Sequence, residues 1–284
     1  MPAAHKRVIC CNFAPLIAKG AANRRRILEW AARLADANAA PDVVVFPELA
    51  LSGYLLESLV AECAMTESEI TAFAAELATT GLAAETEFVI GLPLAERGEI
   101  FNAAVVLSGG AIQHIHRKLF LPTYGMFDEA RYFNRGKTFA TYEGQLGKTA
   151  VLICEDAWHA ELAYAASIAE ADAVIVISAS PARGESGSNA FASTQRWRGR
   201  LQTFSESYGQ IYVYCNRGGT EDGVLFDGSG FVLDHEANFI AAEEGGDDYS
   251  LFQLGDRSMR HAGFSGNSAR QNDRALILKI LSDI

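Results

Sequence analysis

Asp42-Val43-Val44-Val45-Phe46-Pro47-Glu48 is the stretch on which the reading of this chain turns. Successive side chains of a strand point to opposite faces, so an unbroken apolar run is apolar on both. Such a strand is buried on both sides, the condition of a layered α/β protein. Outward from it the same alternation of short β-rich runs and longer amphipathic stretches continues. Arg7 to Phe13 reads as a first strand, and Ala22 to Asn38 as a helix with Ile27, Leu28, Ala31 and Leu34 at helical spacing. Thr66-Glu67-Ser68-Glu69 has the form of a capping box opening a helix that runs to Gly81. Residues 87–91, 103–107 and 112–116 read as successive strands. Beyond them, 149–154, 173–178 and 210–215 are strands, 160–169 and 193–207 helices, and 230–233 with 239–242 a closing hairpin. Gly184 to Asn189 and Gly218 to Gly230 read as loops bordering a site, Asp247-Asp248 with Glu243-Glu244 as a solvated loop, and Arg274 to Ile284 as a short amphipathic tail. No Pro/Ser linker divides the halves, so one domain over residues 1–284 is expected.

Composition narrows the function. Of 284 residues, 49% are hydrophobic, 10% aromatic and 21% charged, enough for a sizeable core. The 24 Lys and Arg against 35 Asp and Glu give a net charge of −11, which argues against nucleic acid or an anionic membrane as partner. No apolar run approaches the ~18–20 residues of a bilayer span, and Met1 to Val8 lacks the apolar segment of a secretion signal. Five cysteines (Cys10, Cys11, Cys63, Cys154, Cys215) form no CxxC pair, which suits free thiols in a reducing compartment. The expectation is a soluble cytoplasmic protein.

Three of the apolar strands end in an ionisable side chain: Glu48, Lys118 and Cys154. Ligands gather at the carboxyl ends of strands in layered α/β folds, so the three can converge. Taken singly, each has an ordinary explanation: a core thiol, a solvated lysine, a carboxylate capping a turn. Together they make a chemical set. A thiol becomes a nucleophile when a base removes its proton. Glu48 is the candidate base, and Lys118 the candidate partner for a developing oxyanion, joined by backbone amides after Cys154.

Three stretches carry a family resemblance. Phe46-Pro47-Glu48-Leu49-Ala50-Leu51-Ser52-Gly53-Tyr54, His116-Arg117-Lys118-Leu119-Phe120-Leu121-Pro122-Thr123-Tyr124-Gly125 and Leu152-Ile153-Cys154-Glu155-Asp156-Ala157-Trp158 resemble, in that order, the glutamate, lysine and cysteine motifs of the nitrilase (carbon–nitrogen hydrolase) superfamily. Phe226 to Gly230 resembles a later hairpin of that family, and the likeness covers roughly residues 6 to 245. It implies an α/β fold of the four-layer α-β-β-α sandwich type, no cofactor or metal, a tendency to homo-oligomers, and hydrolysis of a non-peptide C–N bond through a thioester. It also implies a second carboxylate, carried onto Glu129, with Asp128 the adjacent alternative. The wording is most similar to the glutaminase branch found in glutamine-dependent NAD synthetases. That similarity implies an amide pocket lined by Tyr54, Tyr124 and Phe127, with Glu155 for an amino group and Ser180 and Arg183 for a carboxylate. An ATP-pyrophosphatase Ser-Gly-Gly-x-Asp-Ser loop is missing: Ser108-Gly109-Gly110 continues Ala111-Ile112 and reads as a turn, so NAD synthesis unaided is not expected.

The expected activity is therefore hydrolysis of a small linear carboxamide with release of ammonia, glutamine-like amides first. The alternatives are a glutaminase subunit feeding ammonia to a separate synthetase chain and a nitrilase acting on C≡N. Other constellations weigh less. His114-x-His116 would share a strand face as a metal pair but lacks a third ligand. His159 stands five positions beyond Cys154, an offset that turns the two apart, so Glu48 is the preferred base. Gly228 to Gly230 lacks the strand–helix context of a phosphate loop, and Phe191 to Trp197 is a weak nucleic-acid signal in so acidic a chain.

Overall fold

A computed structural model describes residues 5–37, 40–184, 190–243 and 248–255, together with 258, 279 and 282. The alternation of side chains along its strands builds four layers. From β1 (Lys6–Cys11), Val8 and Cys10 point into the space between two sheets, whereas Ile9 and Cys11 point outward to helices. β2 (Val43–Val45) repeats this, with Val43 and Val45 inward and Val44 outward. Both faces are dry, which is why the valine run has no polar alternation.

The first sheet also contains β3 (Met65–Thr66), β4 (Glu87–Glu96), β5 (Glu99–Ser108), β6 (Ala111–Arg117), β15 (Ala242–Glu243) and β16 (Tyr249–Leu254). Its order is β15-β16-β1-β2-β4-β5-β6, with β3 on β4. Outside it lie α1 (Gly20–Asp36) and α3 (Glu67–Leu77). Ile27, Trp30, Ala31 and Leu34 of α1 and Ile70, Phe73, Ala74 and Leu77 of α3 share one core with the sheet's outer face. Each large side chain in it is worth about 1.5–3 kcal/mol of burial. The capping box is present: Thr66 Oγ1 accepts from the Glu69 amide at 3.4 Å, and Glu69 Oε2 accepts from the Thr66 amide at 2.8 Å.

The second sheet runs β14 (Phe239–Ile240), β13 (Gly230–Leu233), β10 (Ile211–Asn216), β9 (Ala173–Ser178), β8 (Gly147–Ile153) and β7 (Thr141–Gly144). Its helices are α5 (Ala160–Ile168), contributing Leu162, Ala163 and Ala166, and α6 (Ala192–Tyr208), contributing Trp197, Leu201 and Phe204. Two short helices, α2 (Val60–Cys63) and α4 (Glu129–Tyr132), lie in the connections of the first half. The α-β-β-α sandwich is thus as expected. No described helix is long and apolar enough to cross a membrane.

Several boundaries differ from the sequence reading. The helix expected to reach Gly81 stops at Leu77, and β4 continues to Glu96. The Gly218–Gly230 stretch, read as loop, contains an antiparallel ribbon, β11 (Gly218–Glu221) with β12 (Val224–Asp227). The tail from Arg274 lies outside the described residues apart from 279 and 282, as does most of Gly184 to Asn189 and part of the acidic 243–248 stretch.

Candidate active site

β2 and β8 end on the same side of the sandwich, and the turn after β2 carries Glu48 with no exposure to solvent. Its neighbour Leu49 has φ +51°, a left-handed conformation uncommon for a branched side chain. The turn lies directly on β4. A Cβ built on Gly91 would stand 2.5 Å from Leu49 N and from Pro47 O, so only glycine lets the backbone approach. Glu48 is then held from both sheets. Oε1 accepts from Lys118 Nζ at 2.6 Å and Asn102 Nδ2 at 2.8 Å, and Oε2 accepts from the Ala179 amide at 2.8 Å. Oε1 is saturated, whereas Oε2 keeps an acceptor direction for another proton.

Lys118, buried after β6, makes a second ion pair at 2.6 Å with Glu129 Oε1, on the first turn of α4. Asn102 Nδ2 also reaches Glu129 Oε2 at 3.3 Å, and the Tyr54 hydroxyl donates to Glu129 Oε1. Burial alone would discharge the ammonium, but Glu129 and Glu48 more than offset it and hold the Lys118 pKa well above its ordinary value. Burial raises the Glu129 carboxyl, opposed by Lys118 and by the Tyr54 hydroxyl. Asp128 instead pairs with Arg131 at 3.8 Å, and both are exposed.

Cys154 follows β8 with φ +43°, strained for a non-glycine residue. Its strained turn opens a single 3₁₀ turn, Cys154–Trp158, rather than continuing the strand. Asp156 explains how that turn is held. Its Oδ1 accepts from the Leu119 and Phe120 amides, both at 2.9 Å, and Oδ2 from the Ile153 amide at 3.2 Å, with His116 Nε2 at 2.8 Å. One buried carboxylate therefore ties the backbone after Lys118 to the backbone before Cys154. The Ser178 hydroxyl donates to Cys154 Sγ at 3.2 Å. Burial pushes the Cys154 thiol well up, the Glu48 charge adds to this, and Lys118 and Ser178 pull the other way. The resting group is a thiol, so its proton must leave during attack.

At the mouth, Phe127 packs edge-on against Tyr54 (5.9 Å between centroids) and Tyr124 (5.6 Å). The Tyr124 hydroxyl donates to Glu155 Oε2 at 2.6 Å, and both line an open cleft of about 400 Å³ with Phe120, Arg135 and His159. Ser180 Oγ accepts from Trp197 Nε1 at 2.9 Å, and its backbone amide donates to Asn216 Oδ1 at 2.8 Å. Arg183 is exposed, its backbone amide on Ser193 Oγ at 3.0 Å. The structure thus draws Glu48, Lys118 and Glu129 into one network beside Cys154 and gathers the three aromatic rings, but does not draw Arg183 into it. His116 serves Asp156, and His114 stacks on Tyr142 at 5.2 Å rather than joining it as a ligand. Among the described residues no three His, Cys, Asp or Glu gather as a metal site. His159 turns from Cys154 to stack on Phe120 at 3.5 Å.

Asn102, Asp156 and Ser178 escaped the sequence reading. The signal for Asn102 was a polar residue inside the apolar run Phe101 to Leu107; for Ser178 it was the strand-end rule that found Glu48 and Cys154. Asp156 carried no signal beyond adjacency.

A two-sheet sandwich with a buried carboxylate, ammonium and thiol at one end defines a class, the nitrilase-like hydrolases. The chain belongs to the carbon–nitrogen hydrolase family, whose model matches residues 10–248. A glutamine-dependent NAD(+) synthetase of Xanthomonas campestris pv. campestris is 37% identical over 224 residues, covering 75% of this chain and 37% of that protein. The structure of glutamine-dependent NAD+ synthetase from Acinetobacter baumannii superposes with TM-score 0.76 at 27% identity, over 90% of this chain and 47% of that one. An amidase from Nesterenkonia sp. superposes with TM-score 0.74 at 20% identity, over 99% and 98%, and shows the shared fold. The chain spans about two fifths of the length of curated relatives such as the Xanthomonas synthetase (37%) and the glutamine-dependent NAD(+) synthetase of Acinetobacter baylyi (40%), which is 31% identical to this chain over 81% of it.

Proposed function

We propose that the protein hydrolyses a small linear carboxamide through a Cys154 thioester, releasing ammonia and needing no cofactor. The observation that carries this is the buried Glu48–Lys118–Glu129 network, with Lys118 bonded to both carboxylates at 2.6 Å, beside a neutral thiol on a strained turn. Glu48 takes the thiol proton on its unsaturated Oε2 as sulfur attacks the amide carbon. The oxyanion of the tetrahedral adduct is met by Lys118 Nζ and a backbone amide of the 3₁₀ turn. Glu48 returns the proton to nitrogen, the C–N bond breaks and ammonia leaves. Water then adds to the thioester with Glu48 again as base, giving the acid and the free thiol. Glu129 fixes the ammonium from its other side.

L-Glutamine or a close analogue is the substrate we put first. The aromatic walls of Tyr54, Tyr124 and Phe127 suit a flat amide, Glu155 an amino group, and Ser180 with Arg183 a carboxylate. The glutamine-dependent relatives support this choice. A second reading, supported by the names of the relatives, is that its ammonia serves a synthetase on a separate chain. Self-association into dimers or larger assemblies is also expected. The test is mass spectrometry of the acyl-enzyme trapped with glutamine, propionamide, butyramide and an aromatic nitrile, alongside ammonia release. A glutamyl adduct on Cys154, with glutamine preferred by orders of magnitude in kcat/KM, is expected. Equal turnover of the simple amides or the nitrile removes the glutamine reading. Turnover only when an ATP-using synthetase is added favours the subunit reading.

A further inference from the structure

Arg217 and Glu221 form an ion pair that is almost wholly buried, with side-chain exposures of 1% and 4%. A buried ion pair is poor evidence of a stability role, because desolvation cancels much of the attraction and apolar replacements often do as well. The two oxygens of Glu221 face different tasks. Oε2 accepts from Arg217 Nη1, while Oε1 accepts from the backbone amides of both Tyr54 (2.9 Å) and Leu55. The turn is built for this approach: a Cβ on Gly53, which has φ +83°, would lie 2.9 Å from Glu221 Oε2. Arg217 is fixed in turn. Its guanidinium stacks on Phe226 at 4.3 Å and its amide donates to Ser178 O at 3.0 Å, the residue whose hydroxyl touches Cys154. The ribbon β11–β12 thus spans from the strand end behind the thiol to the loop that presents the Tyr54 hydroxyl to Glu129.

We infer that Arg217 and Glu221 are positioning residues for the reaction: the pair sets the Tyr54 loop, and through the Tyr54 hydroxyl the orientation of the Glu129 carboxylate on Lys118. This rests on the catalytic reading above. A merely structural pair would leave the protonation behaviour of Glu129 alone, whereas a positioning pair would not. The Tyr54 hydroxyl is one of the groups that hold the Glu129 carboxyl down. If the loop drifts, Glu129 protonates at higher pH and the acid limb of activity moves up.

The test uses the full chain with Glu221→Leu and Arg217→Met combined, which removes both charges together and leaves none stranded. Two readouts are taken across pH: kcat and KM for ammonia release, and the rate of Cys154 alkylation by iodoacetamide, which needs no knowledge of the substrate. The neutral pair is expected to melt cooperatively, to lose about tenfold in kcat, and to raise the acid limb by about one pH unit. Tyr54→Phe should do the same, and the combination should be no worse than Tyr54→Phe alone, since both act through one hydroxyl. A parental acid limb, or losses that multiply, would overturn the inference. Should the double variant not fold, Gly53→Ala crowds Glu221 Oε2 at 2.9 Å with both charges kept, Ile17→Ala and Ile17→Gly serve as controls for its second contact at Ile17, and the same criteria apply. Glu48→Gln separates the two claims: if it stays active the catalytic reading fails, and if it is inactive while the paired variants keep the parental limb, only the positioning role fails.

Discussion

Gly91→Ala adds a single methyl group in the middle of β4, far in sequence from Glu48 yet directly beneath its turn. The new Cβ would meet Leu49 N and Pro47 O at 2.5 Å and Glu48 Cα at 2.7 Å, all backbone atoms, with no flexible side chain to swing away. Relief to the 3.4 Å of ordinary contact requires the turn or the strand to move by roughly 1 Å. Overpacking of this kind costs about 1–3 kcal/mol, or a drop in Tm of roughly 2–5 °C for a chain of this size. The effect on turnover should be larger in proportion, because Glu48 bonds Lys118, Asn102 and the Ala179 amide from that turn. A misplacement of about 1 Å costs on the order of 100-fold in rate. The assay pairs thermal melts with initial-rate ammonia release. Gly199→Ala serves as the control: it lies in α6 with nothing within 4 Å, and should be neutral or stabilising by up to about 1 kcal/mol. A Gly91→Ala protein with parental kcat would refute the argument that a rigid glutamate turn limits the chemistry, whatever its Tm.

Other outcomes follow from the site and from the opposite end of the sandwich. Cys154→Ala should abolish ammonia release with the fold kept, whereas Cys10, Cys11, Cys63 and Cys215 should tolerate Ala at roughly 1 kcal/mol each; turnover above a few per cent in the Cys154 variant sinks the nucleophile. Lys118→Arg should be inactive despite its retained charge, since a forked guanidinium cannot occupy the point between Glu48 and Glu129; near-parental kcat would place Lys118 outside the chemistry. Glu87, at the start of β4, has its pKa raised from 4.5 to about 7, chiefly by burial. A raised carboxyl stabilises the fold fully below its ordinary value, and that contribution falls between about pH 4.5 and 7 and is gone above. Parent stability should therefore drop by up to about 3 kcal/mol across this window, and Glu87→Gln should flatten the drop; identical Tm-against-pH curves would disprove it.

The layers were legible because burial on both faces leaves an unbroken apolar run, at Val43 to Phe46, whose shortness, valine content and closing Pro47 mark it as a strand rather than a buried helix. Strand ends could be found the same way, which is why Glu48, Lys118 and Cys154 emerged from the sequence. Pairing across long distances left no comparable mark. β16 reads as an ordinary polar–apolar stretch, and the β11–β12 ribbon is dominated by glycines that also occur in loops. Arg183 rests on the resemblance alone, because the turn after Pro181 has no periodicity from which a register could be read. Asp156 bonds almost entirely to backbone, and backbone partners are invisible in a string of side chains.

The register of β1 carries a consequence for how the protein is made. One of its edges pairs in parallel with β2, but the other pairs in antiparallel fashion with β16, Lys6 opposite Leu254 and Cys11 opposite Tyr249. A ribosome adding about 5–20 residues per second takes roughly 10–50 s between the two strands. Throughout that interval a largely apolar strand has a bare edge, open to pairing with any extended segment nearby. The nascent chain therefore needs either shielding or delay until residue 254 has emerged. A ribosome-stalled product ending near residue 245 should bind holdase chaperones or aggregate, and one carrying a C-terminal extension long enough for residue 254 to clear the ribosome should escape both.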